Sequence, residues 1–163
     1  MEKWKNTEKY AKVNKCLDII GVVLVTALIV ITFIYWIKAP DIVPIHFNFK
    51  GEIDAYGSKN TIFILLPIAI ITYIGLAILS NYPEVCNYCI EINNKNKDIQ
   101  YSMASTFIRI INVEILTLVL FIQISIATSM NNGKSISIVF LPIALSILIG
   151  SMVVYIYKSV KFK

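Results

Sequence analysis

The chain has 163 residues, of which 57% are hydrophobic and 15% are charged, and its mean hydropathy is +0.72. A soluble domain of this size carries about 45–50% apolar and about 25% charged residues, so the composition excludes an ordinary soluble domain. The net charge of +5 suits anionic lipid headgroups, and no basic patch accompanies a nucleic-acid motif, so we expect no nucleic-acid partner.

Four apolar segments are each about 20 residues long, the length that a helix needs to cross the hydrocarbon core of a bilayer. They cover residues 17–37, 61–79, 104–129 and 136–157. This pattern predicts an all-α integral membrane protein in which residues 1–163 form one four-helix membrane domain. The first segment is longer than a signal-peptide core of about 7–15 residues, so we expect an uncleaved anchor.

The loop between the first two predicted spans, residues 38–60, is a long polar interruption and contains the only histidine, His46. Apolar and polar residues alternate from 45 to 50, which predicts a short extended piece with one apolar face. Gly51 and Gly57 mark turns, and Ser58 is placed to cap the second span.

The third predicted span is the least apolar, because it contains Arg109, Asn112, Glu114 and Gln123. Ionisable groups in hydrocarbon cost at least about 2.5–3.5 kcal/mol and usually face the bundle interior. We interpret Arg109 as an anchor that extends to the membrane surface. Glu114 lies about 7.5 Å deeper and about 140° around the helix, so the two are poor direct partners. Glu114 is either a proton-sensitive carboxylate of a small transporter or a hydrogen-bonded group that locks helices together.

Basic residues predict the orientation. With the N-terminus inside, both tails and the 80–103 loop carry ten lysines and Arg109 makes eleven, against four lysines outside. This bias predicts cytosolic N and C termini, an outward loop at 38–60 and two helical hairpins. The sequence LPIA occurs at both 66–69 and 141–144, which reflects either an internal repeat or chance in so apolar a chain.

The three cysteines, Cys16, Cys86 and Cys89, form an odd set without a disulfide framework. All three fall on the side assigned to the cytosol, where thiols stay reduced. The spacing of Cys86 and Cys89 is typical of redox or metal sites, but the pair stands alone. Two small apolar residues beside the membrane are the simpler interpretation.

The loop contains the pattern P-x-H-F-x-x-x-G-x-x-D-x-x-G-S-K from Pro44 to Lys59. This pattern resembles the signature of an uncharacterised bacterial membrane domain, found in the N-terminal part of SdpI-type immunity proteins. The likeness covers about residues 20–125 and includes Asn81-Tyr82-Pro83 and the Arg109 and Glu114 pair. It implies a multi-span protein of the bacterial plasma membrane without known enzymatic activity. Relatives protect the producer cell from its own secreted membrane-active toxin and can hold a repressor at the membrane. They continue into a second hydrophobic domain, whereas this chain has four predicted spans.

Two interpretations of the loop stay open. It is either a structural cap on the helix ends or a surface that binds a ligand. The candidate ligand-binding residues are polar or aromatic: His46, Phe47, Asn48, Asp54, Tyr56 and Lys59. One histidine with two nearby acids is too few ligands for a metal site, so we expect neither a metal nor a cofactor. No nucleophile–base pair is evident, so we expect that the protein is not an enzyme.

Two functions compete. In the first, implied by the resemblance, the outer loop recognises a secreted peptide toxin or an envelope component, and the cytosolic faces report it to a regulator in an immunity or signalling role. In the second, the protein is a small proton-coupled exporter that uses Glu114 and acts as a homodimer, because four helices enclose little volume. A third interpretation is an accessory subunit whose spans bind other membrane proteins.

Overall fold

The computed structural model describes residues 7–48, 50–132, 137 and 139–163, and the fold is 74% helical. In chain order its elements are α1 (Glu8–Lys38), β1 (Ile42–Phe47), β2 (Ile53–Ser58), a 3₁₀-helix (Lys59–Ile64), α2 (Leu65–Leu79), a one-turn 3₁₀-helix (Pro83–Val85), α3 (Lys97–Asn132) and α4 (Phe140–Lys161). Four helical segments of this part of the chain are long and apolar enough to cross a membrane, as the hydropathy predicted.

The helices extend beyond the predicted spans. α1 begins nine residues before residue 17, and α3 begins seven residues before residue 104. Hydropathy marks the apolar part of a helix, whereas backbone hydrogen bonding continues into polar residues that lie outside the hydrocarbon. α4 ends at Lys161, and the predicted start of the fourth span at residue 136 lies outside the described residues.

α3 is the central helix, because it packs against α1, α2 and α4. The core is formed by Leu28 of α1, Leu66 and Ala69 of α2, and Leu116 of α3. Leu28 and Leu116 are each only 1% exposed. Lipid tails are as apolar as leucine, so close packing of these side chains, rather than escape from water, holds the helices together.

α4 packs on α3 through the stacked rings of Phe107 and Tyr155, whose centroids lie 4.4 Å apart. None of the residues in its most apolar stretch is buried, so α4 presents a broad apolar surface. Its C-terminal end is held by Gln100 of α3, whose Nε2 donates to the Ser159 carbonyl at 2.9 Å and to the Phe162 carbonyl at 3.0 Å.

The loop at 38–60 corrects the all-α prediction, because it contains an antiparallel two-stranded sheet. Val43 pairs with Gly57 and Pro44 pairs with Tyr56, and the register then shifts on either side of His46. The extended piece predicted from alternation is therefore one strand of a pair. Gly57 lies inside β2 rather than in a turn. A Cβ atom there would come within 2.7 Å of Ile45 Cδ1, so the glycine permits close strand packing.

The turn of the hairpin and its base are both held by side chains. Gly51 has a φ of 76°, and this left-handed conformation confirms the predicted turn. At the base, the indole Nε1 of Trp36 donates to Asn60 Oδ1 at 2.9 Å. The Lys59 ammonium lies 3.1 Å from the Asp41 carboxylate and 5.7 Å from the Trp36 ring centroid. Ser58 Oγ accepts from the Asn60 N–H, which confirms the predicted cap, here on the 3₁₀-helix.

Candidate functional site

The exposed side of the β-hairpin carries most of the predicted ligand-binding residues, and we call it the hairpin face: His46, Asn48, Glu52, Asp54 and Tyr56. The Nδ1 of His46 lies 2.6 Å from Asp54 Oδ1, and both side chains reach solvent, with 68% and 41% exposed. The Nδ2 of Asn48 donates to Glu52 Oε2 at 2.9 Å. Tyr56 is 63% exposed. The hairpin face therefore offers a carboxylate–imidazole pair and an aromatic ring to a partner.

Two of the predicted ligand-binding residues lie elsewhere. Lys59 belongs to the base of the hairpin, where it pairs with Asp41 and covers the Trp36 ring. Phe47 is half-buried at the end of β1. Lys59 therefore helps to hold the hairpin in place. Among the described residues, no group of three His, Cys, Asp or Glu side chains could share a metal ion.

A second polar group lies inside the bundle, and we call it the Arg109 cluster: Asn14, Asp18, Ser80, Asn81, Ser105, Thr106 and Arg109. The Nε of Arg109 donates to Asp18 Oδ1 at 2.8 Å. Its Nη1 donates to Ser105 Oγ at 2.6 Å and to the Ser80 carbonyl at 3.2 Å, and its Nη2 donates to Asn81 Oδ1 at 3.1 Å. One guanidinium of α3 therefore joins α1 to the C-terminal end of α2.

This geometry corrects the interpretation of Arg109 as an anchor that extends to the membrane surface. The residue is only 9% exposed, and its donors are directed at neighbouring helices. The Ser80 carbonyl belongs to the end of α2, where unpaired carbonyls carry partial negative charge and favour a cation. Arg109 is therefore a buried cap of α2 and a partner of Asp18.

Asn112 and Glu114 make separate contacts. The Nδ2 of Asn112 donates to the Tyr73 carbonyl of α2 at 3.1 Å. Ser151 Oγ of α4 donates to Glu114 Oε2 at 3.1 Å. Glu114 thus contacts α4 while Arg109 contacts α1 and α2, in agreement with their predicted separation around the helix.

Sequence reasoning missed the partners of the buried polar groups. Asp18 is the one acid in the first apolar segment, and a search for a counter-charge to Arg109 would have found it. Gln123, buried near the hairpin, donates through Nε2 to Thr32 Oγ1 at 2.9 Å and to the Ile62 carbonyl at 3.1 Å. The sequence does not reveal Thr32 as a partner of Gln123. A threonine hydroxyl inside a helix can bond its own backbone, as Thr32 does at the Leu28 carbonyl, so its presence in an apolar segment does not indicate a partner on another helix.

The loop between α2 and α3 is folded against the bundle. Tyr88 OH donates to the Pro83 carbonyl at 2.8 Å, and its ring stacks on Tyr101 with centroids 5.6 Å apart. Burial raises the pKa of the Tyr88 phenol. Burial and the nearby Glu84 carboxylate raise the pKa of the Cys86 thiol. This direction is opposite to the lowered pKa that activates a redox thiol, so it gives no support for a reactive Cys86.

The four candidate spans indicate a multi-pass membrane protein. Within it, residues 23–83 match the model of a domain of unknown function, DUF1648, the family to which SdpI-like proteins belong. The matched segment runs from α1 through the hairpin and α2 to Pro83. Comparison with curated proteins and comparison with solved structures gave no match.

Proposed function

We propose that this protein is an SdpI-like receptor of the bacterial plasma membrane, which recognises a secreted peptide toxin or an envelope component through the hairpin face. The observation that carries the proposal is the exposed hairpin itself. His46, Asp54 and Tyr56 are displayed to solvent, while the base of the same hairpin is fixed to α1 by Trp36 and Lys59. A hairpin that is fixed at its base and exposes polar and aromatic side chains suits recognition, because binding a ligand then costs little conformational entropy.

The hairpin also suits a peptide ligand. Among the described residues its sheet has only two strands, so each strand has one edge without a sheet partner. Extended peptides bind by adding a strand to such an edge, with side chains on the sheet face supplying specificity. The lysine distribution predicts that this face lies outside the cell, with both termini in the cytosol and the four spans arranged as two helical hairpins. The cytosolic ends then report binding to a regulator, in an immunity or signalling role.

The exporter alternative would depend on Glu114. Its carboxylate accepts a hydrogen bond from Ser151 at the contact between α3 and α4. Glu114 does not line the cleft that opens between α1, α2 and α3 beside Arg109. The proposal therefore assigns Glu114 to helix packing and recognition to the hairpin.

The test is survival of Gram-positive cells across a dose series of membrane-active peptides, at matched membrane levels of each variant. His46→Ala with Asp54→Ala should lower the peptide dose that cells survive by about tenfold or more. A loss of about 1.4 kcal/mol in binding free energy corresponds to a tenfold loss of affinity. Glu8→Ala with Lys12→Ala removes another exposed ion pair, at 3.1 Å and far from the hairpin, and should change nothing.

Two other outcomes of this survival assay would contradict the proposal. Protection lost only with Glu114→Gln would favour the exporter. No protection by the intact protein would remove immunity and leave an accessory subunit of a membrane complex.

A further inference from the structure

A cleft of about 450 Å³ opens between α1, α2 and α3 beside the Arg109 cluster. Its volume is in the range of small-ligand sites, about 300–1,000 Å³. Polar side chains form one end of the cleft: Lys15, Asp18, Asn81 and Arg109. Apolar side chains form the rest: Ile19, Val22 and Val23 of α1, with Tyr73 and Ala77 of α2. None of the residues of the hairpin face lines this cleft.

Polarity along the cleft changes in one direction. Lys15 and Val23 are eight residues apart on α1, or about 12 Å along the helix axis. The charged end is nearer the start of α1, where the polar N-terminal residues lie, and the apolar wall continues toward the middle of the span. A membrane lipid has the same order, with a charged headgroup followed by acyl chains.

The charges at the polar end are unequal. Arg109 and Asp18 neutralise each other at 2.8 Å. Lys15 also lines the cleft, is exposed, and forms no ion pair within the described part of the chain. The polar end therefore has an excess of one positive charge. The Asp18 side chain is 51% exposed, so its carboxylate can also accept hydrogen bonds from a ligand.

We propose that this cleft binds one anionic glycerophospholipid with a hydroxyl-bearing headgroup, such as phosphatidylglycerol. The phosphodiester lies at Lys15, where it balances the excess positive charge. A headgroup hydroxyl donates to Asp18, and one acyl chain lies along Ile19, Val22 and Val23. The side of the cleft is shaped by Gly21, because a Cβ atom there would come within 2.9 Å of the Tyr73 ring. This lipid site does not depend on the role proposed for the hairpin face.

The test is native mass spectrometry of the whole protein in detergent, titrated with phosphatidylglycerol or phosphatidylcholine of identical acyl chains. One phosphatidylglycerol should bind about tenfold or more tightly than phosphatidylcholine. Lys15→Gln should remove that preference, whereas Lys9→Gln, an exposed lysine of the same helix that does not line the cleft, should keep it. Equal effects of these two substitutions would mean general surface charge and would overturn the proposal.

A second pair of variants tests the acyl-chain wall. Val23→Trp fills the cleft and should weaken phosphatidylglycerol binding by about tenfold. Ile20→Trp adds the same ring at a position that does not line the cleft and should leave binding unchanged. Tight binding of phosphatidylglycerol in Val23→Trp would overturn the proposal. So would equal affinities of the two lipids for the unmodified protein.

Discussion

The hairpin face and the Arg109 cluster each contain one acid paired with one base, yet their surroundings are opposite. His46 and Asp54 are 68% and 41% exposed. The Arg109 side chain is 10% exposed and bonds to Asp18 of α1 and to Ser80 and Asn81 at the end of α2. Asp18 and the end of α1 at Lys38 are twenty residues apart, or about 30 Å, which is the thickness of the hydrocarbon core. The two pairs therefore lie at opposite ends of the membrane-spanning region.

This difference distinguishes the proposed recognition surface from a contact that supports the structure. An exposed pair gains little Coulomb energy in water, so it can change partners when a ligand arrives. A buried guanidinium has already lost its hydration, so the contacts that replace water must all be kept. We expect substitutions at the hairpin face to alter function with little change in stability, and substitutions in the Arg109 cluster to do the reverse.

The largest effect is expected for Arg109→Ala. It leaves the buried Ser80 carbonyl without its guanidinium donor, and a hydrogen bond from a charged group is worth about 1.5–3 kcal/mol. Loss of the Asp18 pair adds less, because the Asp18 side chain is 51% exposed and water screens it. Thermal unfolding in detergent should show a markedly lower midpoint. Arg109→Lys should have a midpoint between those of the unmodified protein and Arg109→Ala, because an ammonium cannot reproduce the forked geometry of the guanidinium. A midpoint equal to that of the exposed control Lys12→Ala would contradict the assignment.

A smaller and local effect is expected for Gly51→Ala. The φ of 76° costs a residue with a Cβ atom about 1–2 kcal/mol. Amide hydrogen exchange should accelerate in β1 and β2 and stay unchanged in α3. Lys50→Ala, at the neighbouring exposed position, should leave exchange unaltered. Equal acceleration throughout the protein would mean that the hairpin is not an independently opening unit.

A still smaller effect on stability is expected at His46 and Asp54. A double-mutant cycle on the free energy of unfolding should give a coupling below about 1 kcal/mol, because both side chains are exposed. The same cycle for Arg109 and Asp18 should give a clearly larger coupling. Similar couplings for the two pairs would remove the distinction between them.

The orientation can be tested without changing stability. In a Cys16→Ser background, a membrane-impermeant maleimide on intact cells should label Tyr56→Cys but neither Cys86 nor Cys89. After permeabilisation Cys89 should react faster than Cys86, because burial and Glu84 raise the Cys86 pKa and leave less thiolate at neutral pH. Raising the pH should therefore speed the Cys86 reaction. Labelling of Cys89 in intact cells would reverse the proposed topology.

The four spans could be predicted because the bilayer selects them by a property of each segment alone, its length of apolar sequence. The hairpin could be predicted only in part. Alternation indicated an extended piece, but pairing of Val43 with Gly57 depends on a contact between two distant positions. Gly57 looked like a turn residue, although its role is to admit the Ile45 side chain.

The hairpin residues of the candidate site were predicted from their residue types, and the structure brings two of them, His46 and Asp54, into contact. The destination of Lys59 and the partner of Arg109 were not found. Both contacts depend on which face of a helix packs against its neighbour. The apolar helices have too few polar residues for the sequence to show which face that is. Arg109 therefore looked like a residue at the membrane surface, although Asp18 lies across the helix contact.

The guanidinium that caps α2 also has a consequence for biogenesis. Residues 23–83 hold the matched domain, but the Ser80 carbonyl at its end is completed by Arg109, which the ribosome adds more than twenty residues later. Until the third span is inserted, the first two spans lie in the membrane with the Ser80 carbonyl and the Asp18 carboxylate lacking their Arg109 partner. A fragment that ends at residue 83 and so contains only the first two spans should therefore be recognised by membrane quality control, and co-expression of a fragment that supplies the third span should rescue it.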